Sequence, residues 1–231
     1  MAYRTIWITG ASSGIGKALA ELYARRGATV AISARSADAL AGVAATSDAI
    51  HPYPLDITAP DAVQKTVAKI EADLGPLDLA VLNAGVWSQM GVDAFDAAKI
   101  RKGMEVNFGG TVNCIGALIA PMMQRRAGHI AIVASVAGYC GLPQSLAYGP
   151  TKAALINFAE SLKPDLERYN VAVSVINPGF VETPMTAKND FGMPYILQPE
   201  DAAQRIAKGL DRGRFEIAFP WQLVSSLKAL R

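Results

Sequence analysis

The chain has 231 residues, 51% of them hydrophobic and 18% charged, and a formal net charge of +2. That length lets one α/β domain span 1–231, and the apolar share supports a buried core and excludes a disordered chain. Charges of both signs are scattered, which excludes a basic stripe for nucleic acid, and Cys114 and Cys140 lack the CxxC or Cys/His spacing of a metal or disulfide framework.

The first element is a strand-like run at 6–9, Ile-Trp-Ile-Thr, with no basic segment and apolar stretch ahead of it. No run of about 18 apolar residues follows anywhere, so the expectation is a cytoplasmic protein with no integral membrane segment. Six more β-branched runs, at 29–33, 51–54, 77–82, 129–134, 171–176 and 215–218, read as strands. Between them lie alanine-rich amphipathic stretches at 14–26, 37–45, 60–74, 95–126, 148–169 and 199–212, several opened by Ser, Asp or Pro. The stretch 178–198 is rich in Pro, Gly and polar residues and reads as a mobile lid, while 219–231 stops abruptly in a helix-like pattern, either a trimmed terminus or a closing helix. Parallel strands need long right-handed crossovers, so this alternation predicts a three-layer, doubly wound α/β fold with a seven-stranded, mostly parallel sheet. Ligands of such sheets bind beyond the carboxyl ends of the strands.

Strand one runs into Thr9-Gly10-Ala-Ser12-Ser13-Gly14-Ile15-Gly16, and a helix begins at once. Glycines without a Cβ let the backbone turn tightly and approach a pyrophosphate, while the helix amino terminus offers free N–H groups and Ser12 and Ser13 add hydroxyls. A purely structural turn is the other reading; the position after the first strand of a βαβ unit favours a dinucleotide. This Gly-x-x-x-Gly-x-Gly spacing, with the strands around it, resembles the short-chain dehydrogenase/reductase family, which has a Rossmann fold and a nicotinamide cofactor.

Strand two continues Val30-Ala-Ile-Ser33-Ala-Arg35-Ser36, with no carboxylate at its end. An acidic residue there would repel a 2′-phosphate; Arg35, helped by Ser33 and Ser36, would accept one, so NADP(H) is expected rather than NAD(H). Asp38 belongs to the next helix and is set aside, and a solvated surface charge is the plainer reading of Arg35. Asp56 matches the family position that bonds the adenine amino group, or else caps a turn. Asn83-Ala84-Gly85 after strand four looks like the family's cofactor-lining motif.

Tyr148 and Lys152 stand four apart at the start of a helical run, hence on one face. With seven tyrosines among 231 residues the spacing alone is weak evidence. Its chemistry is the better argument: a phenol with a reference pKa near 10 needs roughly 3–4 kcal/mol of phenolate stabilisation to shift by two or three units, which a cation one turn away can help supply. Ser135 ends the fifth strand, and Asn107 is an amide in the long helix 95–126, where it requires a partner. In order and spacing Asn107, Ser135, Tyr148 and Lys152 resemble the family's catalytic tetrad. The resemblance implies that Tyr148 is the general acid or base, Ser135 polarises the carbonyl, Lys152 lowers the Tyr148 pKa and holds the ribose, and Asn107 anchors a proton-relaying water. It likewise implies that Pro178, Gly179, Val181 and Thr183 grip the nicotinamide carboxamide.

The likeness runs from Thr5 to about Phe219. Two departures stand out: Pro150 inside the Tyr-x-x-x-Lys pair, tolerable in a first turn, and Pro164, expected to kink that helix. Because family members often pair through this helix, the resemblance implies a homodimer or homotetramer, and a kink at Pro164 works against the tetramer. Substrate would face Val86-Trp87, 136–142, Gln144 and 183–195, mostly apolar or aromatic, so a hydrophobic carbonyl or alcohol is expected. The rival readings are a non-catalytic NADP-binding regulator, disfavoured by the intact tetrad, and a sugar-nucleotide epimerase, which would need about a hundred further residues. A membrane contact by 221–230 would rest on one short amphipathic segment.

Overall fold

The computed structural model describes residues 3–230. Seven strands form one sheet: β1 Thr5–Thr9, β2 Thr29–Ser33, β3 Ile50–Pro52, β4 Leu79–Leu82, β5 His129–Val133, β6 Ala172–Pro178 and β7 Glu216–Phe219. Their order is β3-β2-β1-β4-β5-β6-β7, and every neighbouring pair is parallel. The sheet is thus wholly rather than mostly parallel, with β1 paired on one side to β2 (Trp7 with Ala31) and on the other to β4 (Trp7 with Ala80). Pro52 is compatible with a strand because β3 lies at the sheet edge, where its missing N–H breaks no ladder.

Helices cover both faces. α1 Gly14–Arg25, α2 Ala37–Ala44 and α7 Pro199–Asp211 pack on the face that takes Ile6 and Ile8; α3 Pro60–Leu74, α5 Gly110–Arg125 and α6 Gly149–Glu167 pack on the face that takes Trp7. The alternation of Ile6, Trp7 and Ile8 between two cores is the period-two pattern of a strand buried on both sides. Trp7 is fully buried, and its indole N–H donates to Ser33 Oγ at 2.9 Å.

The stretch expected as one helix over 95–126 is more elaborate. The Asp96 carboxylate caps α4 Ala97–Met104 by accepting from Ala98 and Lys99 N–H, and a π-turn, Glu105–Gly109, then leads into α5. Within the 29 residues Ala97–Arg125 an 18-residue window reaches a mean hydropathy of 1.3, long and apolar enough to cross a membrane by length and composition, although no uninterrupted apolar run stands there. Its apolar residues have a destination within the fold: Cys114, Ile115, Leu118 and Met122 lie in the core. α6 starts with Pro150 in its first turn and runs through Pro164 to Glu167, so the second proline does not end it. The lid stretch contains a short 3-10 turn, Thr186–Lys188, and an isolated bridge between Val181 and Leu197. Within 219–231 a helix forms, α8 Trp221–Ala229, with Arg231 outside the described residues.

Candidate active site

The carboxyl ends of β1, β2, β4, β5 and β6 open on a cleft of about 670 Å³. Its floor is the glycine turn, and the fit there requires glycine: a Cβ on Gly10 would lie 2.7 Å from Ala84 Cα, and Gly10 and Gly14 have φ of +65° and +55°. Gly16 does not line the cleft; a Cβ on it would stand 2.5 Å from the Gly10 carbonyl oxygen, so its place is under the turn, where it permits close packing. Asn83 fixes the turn from the side, its amide donating to Thr9 O and Gly10 O at 3.1 Å each, while Thr9 Oγ1 accepts from Asn83 and Ala84 N–H. Ser13 occupies the N-cap position of α1 without its hydroxyl capping the helix, which leaves first-turn N–H groups available to an anion. This cradle, closed to any Cβ and lined by Ser12, Ser13, Gly14 and Ile15, suits a dinucleotide pyrophosphate.

Along the cleft toward β2, Arg35 is exposed and Ser33 and Ser36 share the wall. Ser33 Oγ accepts from the Trp7 indole N–H and Ser36 Oγ caps α2 by accepting from Ala39 N–H; each hydroxyl keeps its own O–H to donate to a phosphate beside Arg35. Asp56 caps a turn, one of the two roles foreseen for it. Its Oδ1 accepts from the N–H and hydroxyl of Thr58 at 2.9 and 2.8 Å while the residue lines the cleft. The Thr58 N–H bond first, then the Thr58 hydroxyl, and more distantly the Arg35 and Lys102 cations, hold its carboxyl below the usual value. Lys102, unnoticed in the sequence, also lines this end; only its place in the last turn of an amphipathic helix could have flagged it.

At the other end Ser135, Tyr148 and Lys152 come together, with Gly85 and with Pro178, Gly179, Val181 and Thr183 of the β6 exit. Each is placed by its element: Ser135 leaves β5 and its hydroxyl accepts from Ala137 N–H, and Tyr148 and Lys152 rise from the first turn of α6. Lys152 is buried, its ammonium donating to Val133 O at 2.9 Å and lying 5.4 Å from the centre of the Tyr148 ring. Burial pushes Tyr148 up to about 12, against an opposing hydrogen bond from Ser135, and pushes Lys152 down to about 8.

Asn107 does not line the cleft. It is fully buried in the π-turn; its Oδ1 accepts from Val86 N–H at 2.7 Å and its Nδ2 donates to Val86 O and Thr151 Oγ1, both at 3.0 Å. The amide therefore spans from the loop after β4 to the turn of α6 that carries Lys152, and the π-turn is the local distortion that aims it there.

A second cavity of about 440 Å³ meets the cleft at Ser135, Tyr148 and Gly179. Trp87 stands edge-on to Tyr148, ring centres 4.9 Å apart, and its indole N–H donates to Asn189 Oδ1 of the lid at 2.8 Å. Val136, Ala137, Leu142 and Gln144 line it as foreseen, but Val86 faces the first cleft instead and 138–141 do not line the second. Phe180, Leu223 and Leu227 complete the wall without having been foreseen; the two leucines sit four apart on α8, a spacing visible in the sequence once that helix is granted.

The model of the family described as short chain dehydrogenase matches residues 4–192. An uncharacterised oxidoreductase of Myxococcus xanthus is 38% identical over 227 residues, covering 96% of this chain and 90% of its own, and another from Staphylococcus saprophyticus is 31% identical over 85% of this chain and 86% of its own. Among solved structures, a short-chain dehydrogenase from Streptomyces avermitilis superposes with a TM-score of 0.86 at 25% identity, and one from Burkholderia cenocepacia in complex with NADP with 0.87 at 26%, each covering 98% of this chain and 92% of its own. Fold, glycine cradle and sequence agree, and the chain belongs to the short chain dehydrogenase family.

Proposed function

We propose that this chain is an NADP(H)-dependent oxidoreductase acting between a carbonyl and an alcohol on an apolar small molecule, with Tyr148 as general acid and base. The observation that carries this reading is the junction of the two cavities at Ser135 and Tyr148, where one compartment suits a dinucleotide and the other an apolar substrate. When bound, the nicotinamide supplies or accepts the hydride. The residues of the chain do the rest. Ser135 holds the substrate oxygen and Tyr148 gives it a proton in reduction or takes one in oxidation. Lys152 holds the ribose and favours the phenolate, whose formation burial otherwise opposes. Pro178, Gly179, Val181 and Thr183 would grip the carboxamide, and Asn107 keeps the Val86 loop and α6 in register.

Arg35 at the end of β2, with no carboxylate beside it on the strand, supports NADP(H) over NAD(H), and the neighbour from Burkholderia cenocepacia is itself in complex with NADP. Fluorescence titration tests this. NADPH should bind wild type at least about tenfold more tightly than NADH, and Arg35→Ala should erase most of that difference, a charge-assisted contact being worth about 1.5–3 kcal/mol. Failure of wild type to bind either nucleotide rules the enzyme reading out. Tyr148→Phe should bind NADPH normally and lose at least about 100-fold in kcat, the scale of general acid–base catalysis.

A further inference from the structure

The substrate-side cavity extends past Tyr148 to α8, and its chemistry restricts what it can accept. Among the described residues lining it there is no acidic, basic or histidine side chain; its polar groups are neutral hydroxyls and amides such as Ser145, Thr186 and Asn189. A charged group carried into it would lose hydration without gaining a partner. The far wall is made by Leu223 and Leu227, one helical turn apart and so on one side of α8. Leu223 is pressed against the β6 exit: a Cβ on Gly179 would lie 2.9 Å from its Cδ2.

That wall is held by a polar lock at the start of β7. The Glu216 carboxylate accepts from the Tyr139 hydroxyl at 2.6 Å, from Asn177 Nδ2 at 3.1 Å and from the Lys228 ammonium of α8, which also stands 5.1 Å from the Tyr139 ring centre. Burial works to raise the Glu216 carboxyl, but the bonds from Lys228 and Tyr139 outweigh it and leave the group below its usual value, a charged anchor. Tyr139 directly follows the 3-10 turn that Ser135 caps. The lock therefore joins α8 to the turn that presents Ser135.

We infer that α8 is the specificity element of the site: the substrate body rests on Leu223 and Leu227, the Lys228–Glu216–Tyr139 lock sets how far that wall stands from Tyr148, and the compound accepted is an uncharged ketone or secondary alcohol with an apolar body. The inference rests on the oxidoreductase reading above. Leu223 and Leu227 are specificity-determining; Lys228 acts through α8 and is a positioning residue.

The test is steady-state kinetics with NADPH on neutral ketones of increasing size and on a carboxylate-bearing analogue of matched size, with NADPH affinity measured in parallel. Wild type should prefer the neutral compound by about 100-fold or more. Leu223→Ala and Leu227→Ala should shift the kcat/KM ratio of large to small ketones upward by about tenfold, as loss of pocket methyl groups does. Lys228→Met, which removes an exposed ammonium and threatens folding least, should raise KM for the best ketone about fivefold with a smaller change in kcat, and Lys228→Arg should restore it. NADPH affinity should stay at the wild-type value in all four. Unchanged size ratios in both leucine variants, with Lys228→Met indistinguishable from wild type, overturn the role of α8. Equal turnover of the carboxylate analogue overturns the uncharged substrate and leaves the oxidoreductase reading standing. No NADPH binding and no turnover in wild type overturn both.

Discussion

At the scale of single residues, the site is built from groups whose alternatives are costly. Asn107 makes three hydrogen bonds while fully buried, so Asn107→Ala leaves the Val86 N–H and C=O and the Thr151 hydroxyl without it. Each unsatisfied group costs on the order of 1–3 kcal/mol, and the expected result is a loss of about 3 kcal/mol or more in urea unfolding together with weakened NADPH binding. A variant as stable as wild type would mean that water enters and replaces the amide. His129 gives a pH prediction at the opposite end of the sheet. Its Nε2 lies 2.8 Å from Ser174 Oγ and its Nδ1 2.8 Å from Tyr3 Oη, and burial lowers its pKa to about 4 from the ordinary 6.5. The unfolded chain therefore binds the proton first as pH falls. The contribution of His129 is complete above about 6.5 and lost as pH drops toward about 4, amounting to about 3 kcal/mol. His129→Gln should flatten the fall in urea midpoint across that window; an unchanged slope would show that the imidazole is protonated within the fold.

Among the elements, α6 carries both Tyr148 and Lys152 and pays for a proline three turns later. Pro164 has no N–H to give the Glu160 carbonyl and sits at the exposed face, so Pro164→Ala should stabilise the chain by about 1–3 kcal/mol, read as a higher thermal midpoint. No gain would indicate that the helix has bent to satisfy the carbonyl in another way. The contrast between α6 and its neighbours shows what was legible in the sequence. Tyr148 and Lys152 are four apart on one helix, and Ser135 follows a strand directly, so their meeting depends on local geometry that a linear pattern carries. The same holds for the glycine turn between β1 and α1. The π-turn at Glu105–Gly109 does not announce itself, because it differs from α-helix by one residue of register and is held by tertiary bonds to Val86 and Thr151. Lys102, Leu223 and Leu227 reach their cavities only through the tertiary placement of α4 and α8, which no short window contains.

For the whole molecule, the order β3-β2-β1-β4-β5-β6-β7 puts the crossing point of the sheet between β1 and β4, directly beneath the glycine cradle, and ligands of doubly wound sheets gather where the strand order reverses. The fold class, all seven strands and the main helices follow from alternating periodicity, whereas strand ends shift by one or two residues, as at β3, because the last pair of a ladder depends on its neighbour. That same order has a consequence for synthesis. β1 is made before β4, yet Ile6 pairs with Leu79 on one side, so a nascent chain that has completed β2 and β3 still leaves one edge of β1 with unpaired backbone N–H and C=O groups until the ribosome has released β4. During that interval the growing chain presents an open template for pairing with other chains, and slowing translation between α3 and β4 should lower the soluble yield more than the same delay placed after β5.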